Sequence, residues 1–249
     1  MILKDVAIII TGGASGLGKT LATNLATMAA KVIVIDKNEE SLALLKEECP
    51  QIYCYSADLT DYSAVQTLTA KIFEEHGKIN VLVNNAGIIH SEPLVNLLSR
   101  EDIKHKVENW DKTININLNA VFYVTVNVVE KMVKTRSKGV IINISSISAN
   151  GNIGQSAYSA TKAAINALTV TWSKELGMFG IRSVAIAPGF MDTPSTRAAL
   201  TENKIKQYQS ATPINRMGKT EELLNAVIFV IENDFYNGTV LSLDGGLKI

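Results

Sequence analysis

Tyr158 and Lys162 stand four residues apart where a helical pattern begins, with Ala163, Ile165, Leu168 and Trp172 following. That spacing puts both side chains on one face of a helix. An ammonium beside a phenol favours tyrosinate, which brings the phenol nearer to useful general acid–base strength. A tyrosine and a lysine at this spacing also occur on ordinary solvated helices, so the pair needs further groups around it before it implies chemistry. Upstream, Ser145 and Ser146 close the apolar run that starts at Gly139. Adjacent strand residues point to opposite faces, so only one of these hydroxyls is expected to reach a substrate oxygen.

A second constellation lies near the start of the chain. Thr11-Gly-Gly-Ala-Ser-Gly-Leu-Gly18 joins an apolar run to a helical one. Glycine there lets the backbone approach a pyrophosphate, which the free N–H groups and dipole of a helix N-terminus attract. The spacing Gly12-x-x-x-Gly16-x-Gly18 differs from the commoner G-x-G-x-x-G, and by itself it reads equally as a tight turn. Its place between strand and helix of a β-α-β unit favours the nucleotide. Asp36 ends the next apolar run. A carboxylate there accepts hydrogen bonds from adenosine ribose hydroxyls and repels a 2′-phosphate. With no arginine in the glycine turn, the expected cofactor is NAD(H) rather than NADP(H), although Lys37 works against the discrimination.

The elements that must carry these groups alternate short β-branched runs with longer helical patterns. Expected strands are Val6–Thr11, Lys31–Asp36, Ile52–Asp58, Ile79–Asn84, Gly139–Ser146, Arg182–Ala187 and Gly238–Asp244. Continuous apolar runs of this kind suit a parallel sheet covered on both faces. Leu17, Leu21, Leu25 and Met28 mark one helix face, and Tyr62, Val65, Leu68 and Ile72 another. Thr220-Glu-Glu opens a further helix with a capping hydroxyl and acidic first-turn residues. The fold class is therefore α/β: a doubly wound, mostly parallel, Rossmann-like sheet of about seven strands with helices on both faces. No linker, repeat or low-complexity tract divides residues 1–249, so one dinucleotide-binding and catalytic domain is expected. Two stretches, 88–109 and 190–217, lack a clear period. Both follow a strand's carboxyl end, where such sheets bind ligands.

Composition narrows the classes further. The chain has 249 residues, 47% hydrophobic and 19% charged, with 24 basic residues against 24 acidic ones. A balanced charge gives no footprint for nucleic acid or an anionic membrane surface, and no apolar run approaches spanning length. Cys49 and Cys54 make neither a disulfide framework nor a zinc pattern, so no metal site is expected. Their thiols and the absence of a signal-like N-terminus imply a cytoplasmic chain.

Taken in order, Thr-Gly-x-x-x-Gly-x-Gly, Asp36, Asp58-Leu59, Asn84-Asn-Ala-Gly87, Asn117, Asn-Ile-Ser-Ser146, Tyr158-Ser-Ala-Thr-Lys162, Ala187-Pro-Gly189, Thr193 and Asp244-Gly-Gly246 resemble the short-chain dehydrogenase/reductase family along essentially the whole chain. The resemblance implies a hydride-transferring oxidoreductase that interconverts a secondary alcohol and a ketone. It implies that Gly12, Ser15, Gly16, Leu17 and Gly18 hold the pyrophosphate, Asp36 the adenosine ribose, and Asp58 and Leu59 the adenine. Asn85, Ala86 and Gly87 would line the nucleotide, and Pro188, Gly189 and Thr193 the nicotinamide carboxamide. Tyr158 would be the general acid or base, Lys162 would bind the nicotinamide ribose and tune Tyr158, a serine would polarise the substrate oxygen, and Asn117 would hold a water linking Lys162 to solvent.

Two departures from the family pattern matter. The interval from Ser146 to Tyr158 is one residue short of the usual spacing, which favours Ser145. The Asn-Ile-Ser-Ser ending favours Ser146, and shortening a surface loop costs less than slipping a buried strand by one residue. Ser146 is therefore the expected catalytic serine, with Ser145 holding the loop backbone. The stretch from Ile88 to Trp110 is also several residues longer than in compact relatives. Acyl thioesters, steroids, sugars and polyols are all substrates within the family, and nothing in the sequence selects among them. A catalytically silent nucleotide-binding scaffold is the alternative; an enoyl reductase would space its tyrosine and lysine wider, and an epimerase would need a longer substrate domain. Val121, Val124, Val128, Ala163, Ala164 and Ala167 put apolar or small residues on more than one helix face. Relatives pair these helices in dimers and tetramers, so a homotetramer is expected, with a dimer as second choice.

Overall fold

The computed structural model describes residues 1–29, 31–98, 103–193, 196–197 and 201–249. Among them, seven strands form one all-parallel sheet: β1 (Ala7–Thr11), β2 (Lys31–Asp36), β3 (Tyr53–Ser56), β4 (Val81–Asn84), β5 (Gly139–Ile144), β6 (Ile181–Pro188) and β7 (Val240–Leu243). Their spatial order is β3-β2-β1-β4-β5-β6-β7. The helices are α1 (Gly16–Leu25), α2 (Glu39–Glu48), α3 (Tyr62–His76), α4 (Val107–Ile114), α5 (Ala120–Lys134), α6 (Ser156–Leu176), α7 (Glu202–Ala211) and α8 (Thr220–Glu232).

The central strands are largely apolar because successive side chains enter two different layers. Ile8, Ile10, Val32, Val34, Val81, Val83, Val140 and Ile142 pack against Leu21 and Leu25 of α1, Leu42 and Leu45 of α2, and Val227 and Ile231 of α8. Ile9, Ile33, Ile35, Leu82 and Ile141 pack the other way, onto Val65 and Ile72 of α3, Val124 and Val128 of α5, and Ile165 and Trp172 of α6. Each such side chain contributes about 1.5–3 kcal/mol by leaving water, so a one-residue slip of any strand is costly in both layers. The order of strands reverses between β1 and β4, and that switch point opens a crevice at their carboxyl ends. The glycine turn after β1 and the Asn84–Gly87 segment after β4 meet there.

Three local expectations change, and one local feature is new. Residues 202–211 form α7 inside the stretch that showed no period; no residue of that helix is buried, so it has no apolar stripe to read. Lys219, not Thr220, is the N-cap of α8, and its N–H donates to the Glu222 carboxylate at 2.7 Å. Met28 lies beyond the end of α1 and is exposed. Asn115–Asn119 is a π-helical turn between α4 and α5. No helix among the described residues is long and apolar enough to cross a membrane.

Candidate active site

The crevice is shaped first by the glycine turn. Gly12 and Gly16 have φ of +62° and +51°, in the left-handed region that glycine adopts without strain. A Cβ on Gly18 would lie 2.1 Å from the Gly12 carbonyl oxygen and 2.5 Å from Asn85 Nδ2, so only glycine lets α1 start this close to the turn. Asn85 Nδ2 donates to the Thr11 and Gly12 carbonyls, both at 3.0 Å. The side chain of Asn85 is thus spent bracing the turn from behind. Thr11 does similar work: its hydroxyl accepts from the N–H groups of Asn85 and Ala86, each at 3.1 Å. Ser15 is the N-cap of α1, but its side chain makes no capping bond. The first N–H groups of that helix therefore stay open to an anion, and Leu17 packs behind them against the core.

Asp36 ends β2 beside this turn. One carboxylate oxygen accepts from the Ala14 N–H and the other from the Asn38 N–H, each at 3.1 Å, which leaves both oxygens further acceptor capacity. Asp58 sits after the next strand, and its carboxylate accepts from the N–H and hydroxyl of Thr60. Those two bonds hold its pKa below the usual carboxylate range. Leu59 packs its side chain onto the α3 layer.

Across the crevice, α6 carries Tyr158 and Lys162 side by side, as their spacing demands. Lys162 Nζ lies 5.6 Å from the centre of the Tyr158 ring and donates to the Ile144 carbonyl at the end of β5, at 2.7 Å. Burial lowers the Lys162 pKa from 10.5 to about 8. Burial also governs Tyr158, raising its pKa, while the Ser146 hydroxyl beside it pulls the other way. The expected lowering by the lysine is not what dominates in the free chain: desolvation of the phenol outweighs it, and the ammonium points at Ile144.

The two serines lie just beyond β5 and take different partners. Ser146 is the hydroxyl facing Tyr158, and its Oγ also accepts from the Ser148 N–H at 3.1 Å. Ser145 is buried behind it and donates to the Lys162 carbonyl at 3.3 Å. The loop backbone is therefore held by Ser146, and Ser145 ties β5 to α6 instead, contrary to the expected division. Asn117, fully buried in the π turn, accepts from the Ile88 N–H and donates to the Ile88 carbonyl, both at 2.8 Å. Gly87 lies against it: a Cβ there would come within 3.2 Å of Asn117 Oδ1 and 3.9 Å of Lys162 Nζ. Below the site runs a buried polar chain from Thr125 through Asn84 and Asn143 to Thr169, linked by contacts of 2.9 Å.

The third wall follows β6. Pro188 pairs with Leu243, and Gly189 N–H donates to the Leu243 carbonyl at 2.9 Å. Thr193 is buried, and its hydroxyl accepts from the Thr196 N–H at 3.1 Å. So the structure gathers Gly12–Gly18, Asp36 and Ala86 on one side of the crevice, and Asn117, Ser146, Tyr158 and Lys162 on the other, with Gly87 against Asn117. Sequence reasoning missed Thr11, whose hydroxyl looks like any strand-end threonine, and the Glu92–Asn109 contact, which joins residues with no recognisable spacing.

Residues 6–204 match the short chain dehydrogenase family. The chain belongs to that family. It is 39% identical over its full length to the full length of the 3-oxoacyl-[acyl-carrier-protein] reductase FabG of Thermotoga maritima. It is 35% identical to the sorbitol-6-phosphate 2-dehydrogenase of Klebsiella pneumoniae, over 98% of this chain and 96% of that one. It is 34% identical to the gluconate 5-dehydrogenase of Gluconobacter oxydans, over 99% and 96%. Among solved structures, a short-chain type dehydrogenase/reductase from Mycobacterium ulcerans superposes with a TM-score of 0.89 at 27% identity, covering 99% of this chain and 90% of that one. As a short-chain dehydrogenase, this chain is an oxidoreductase of a family that binds a nicotinamide dinucleotide.

A buried lysine in this short-chain dehydrogenase has a consequence for stability. With the Lys162 pKa lowered from 10.5 to about 8, the unfolded chain binds more protons between those values. Stability therefore rises with pH across that window. The charged-form penalty is complete below about pH 8 and gone above about pH 10.5, and amounts to roughly 3 kcal/mol. Wild type should accordingly gain about that much on a Lys162→Met variant between pH 7 and pH 10.5, measured by denaturant unfolding at each pH. A difference that stays constant with pH would contradict the burial of a titrating ammonium.

Proposed function

We propose that the chain is an NAD-dependent oxidoreductase interconverting a secondary alcohol and a ketone, with Tyr158 as general acid for reduction and general base for oxidation. The observation that carries this reading is the convergence of the Ser146 and Tyr158 hydroxyls beside the buried Lys162, across the crevice from the glycine turn. The crevice suits a dinucleotide. The glycine turn packs too tightly for a Cβ at Gly12, against Ala86, or at Gly18, against the Gly12 carbonyl, the first N–H groups of α1 are uncapped, and Asp36 keeps free acceptor capacity. Gly12, Ser15, Gly16, Leu17 and Gly18 would hold the pyrophosphate, Asp36 the ribose, Asp58 and Leu59 the adenine. Ala86, Gly87, Lys162, Pro188, Gly189 and Thr193 would hold the nicotinamide half. Asn85 would act through the turn it braces.

The dinucleotide, when bound, supplies or takes the hydride; the rest belongs to the chain's own residues. Ser146 and Tyr158 donate hydrogen bonds to the substrate oxygen and stabilise the charge that develops on it. Tyr158 passes its proton to that oxygen in reduction and recovers one in oxidation. Lys162, beside the phenol, favours the anionic form, and Asn117 fixes the Ile88 backbone next to it. A silent scaffold would need neither the buried lysine nor the paired hydroxyls. A panel of ketones and secondary alcohols, followed by NADH absorbance in both directions, tests the reading: turnover of one substrate supports it, and none across the panel overturns it. The relatives named above act on an acyl-carrier thioester, a sugar phosphate and a sugar acid by their names, and these do not converge on one substrate.

Asp36 supports NAD over NADP. A carboxylate facing a 2′-phosphate is repulsive by on the order of 1 kcal/mol or more. We expect NAD(H) to bind more tightly than NADP(H), and Asp36→Ala to narrow the gap about tenfold in a fluorescence titration. Equal affinities in the wild type would refute the preference.

We also propose a cytoplasmic homotetramer built as one catalytic domain per chain. Val121, Val124 and Val128, expected to face a partner, are buried in the chain's own core. The outward faces carry other apolar groups: Phe122 and Val126 on α5, Ala163, Ala167 and Val170 on α6. These supply the second apolar face that a paired helix needs. Light scattering at micromolar concentration should give four times the chain mass, and a monomer would contradict the proposal.

A further inference from the structure

After Ile88, residues 94–96 and 103–105 run antiparallel as the two arms of a hairpin whose base converges on one residue. Its arms meet through the Asn96 N–H on the Ile103 carbonyl at 2.6 Å, the His105 N–H on the Leu94 carbonyl at 3.0 Å, and an antiparallel bridge between Val95 and Lys104. At the base stands Glu92. Its N–H donates to the Gly154 carbonyl at 2.6 Å, and it forms a parallel bridge with Gln155. Gln155 is the N-cap of α6, three residues before Tyr158, and its side chain donates to Ser91 Oγ at 3.2 Å. The Glu92 backbone is thus bound directly to the residues that lead into the helix carrying the proposed acid.

The Glu92 side chain reaches in the opposite direction. Its Oε2 accepts from Asn109 Nδ2 on α4 at 3.0 Å and faces His90 Nε2 at 3.1 Å. His105, mostly buried, depends on the same residue: Nδ1 meets the Glu92 carbonyl at 3.1 Å and the carboxylate at 3.7 Å, and Nε2 has no partner among the described residues. These donors keep the carboxylate ionised, with its pKa down to about 2. Asn109 and Asn117 sit on one continuous helical ladder, and Asn117 clamps Ile88 at the start of the same hairpin. Exposed apolar side chains stand on the two loops that Glu92 joins: Ile89, Leu94 and Leu97 on one, Ile153 on the other.

We propose that Glu92 is a positioning residue for the reaction proposed above, tying the entrance hairpin and α4 to the loop that leads into α6 so that a substrate is aligned on Ser146 and Tyr158 as it enters. The inference rests on that functional reading, because it concerns the same hydroxyl pair. Removing the carboxylate leaves Asn109 and His90 without their acceptor, while His105 keeps its bond to the Glu92 carbonyl; the loss is costly for groups partly withdrawn from water. The base of the hairpin, whose backbone bonds to Gly154, then loses its tie to α4, and a misplacement of about 1 Å at a reacting centre costs about a hundredfold in rate.

The test compares wild type with Glu92→Ala, Glu92→Gln and Asn109→Ala on a substrate that wild type turns over. Glu92→Ala should lower kcat/KM for that substrate about a hundredfold while NADH affinity is unchanged. Glu92→Gln, which keeps the shape and one acceptor oxygen, should recover most of the loss, and Asn109→Ala should show the same pattern more weakly. Hydrogen exchange should quicken in peptides spanning 88–96 and 151–158 of Glu92→Ala and stay at wild-type rates over 7–25. Normal kcat/KM in Glu92→Ala, unchanged exchange, or a matching loss of NADH affinity would overturn the proposal while wild-type activity stands. A wild-type chain that turns over nothing overturns the functional reading, and this proposal with it.

Discussion

Replacing Tyr158 with phenylalanine lowers turnover by about a hundredfold or more and leaves NADH affinity near its wild-type value. Phenylalanine keeps the buried ring, which packs in the first turn of α6, and removes only the proton that the substrate oxygen needs. The environment sharpens the expectation. Burial raises the Tyr158 pKa in the free chain, so the phenol is protonated through neutral pH and ready to donate. Ketone reduction uses that form directly. Alcohol oxidation needs the deprotonated form, so its rate should climb into the alkaline range while reduction does not. Stopped-flow turnover and an NADH titration of the variant check the first part, and pH profiles in both directions check the second. Full activity in Tyr158→Phe would overturn the assignment.

The second large effect separates two neighbouring serines. Ser146→Ala should lower turnover about a hundredfold at unchanged NADH affinity, because its hydroxyl is the one that faces Tyr158. Ser145→Ala should cost much less turnover. Its hydroxyl is bonded to the Lys162 carbonyl rather than facing the phenol, so the expected loss is about 1 kcal/mol of stability, read by denaturant unfolding. The reverse ranking of turnover would move the catalytic role to Ser145 and restore the family's usual interval to Tyr158.

What could be read from the sequence was whatever depends on short spacing. The glycine turn, Asp36 at a strand end, and Tyr158 with Lys162 each declare themselves within a few residues, and the β-branched runs declare the sheet because both of its faces are covered. Contacts between distant residues stayed hidden. Asn85 and Thr11 brace the turn across the β1–β4 switch point, seventy or more positions apart in pairs such as Thr11 and Asn85. Glu92 joins α4 and α6 from inside a stretch with no period at all. The polar helix α7 has no buried stripe to announce it. The balance at Tyr158 was misjudged for a physical reason: helix spacing shows which charge is near, but not how much water has been lost.

The most direct test of the account is the fate of a labelled hydrogen. NADH carrying deuterium at the transferable position, incubated with a ketone that the wild-type chain reduces, should give an alcohol with one deuterium on its carbinol carbon. The same label should appear at least about a hundredfold more slowly with Tyr158→Phe. An alcohol formed without deuterium on that carbon, or equal labelling by the variant, would contradict the proposed hydride transfer assisted by Tyr158.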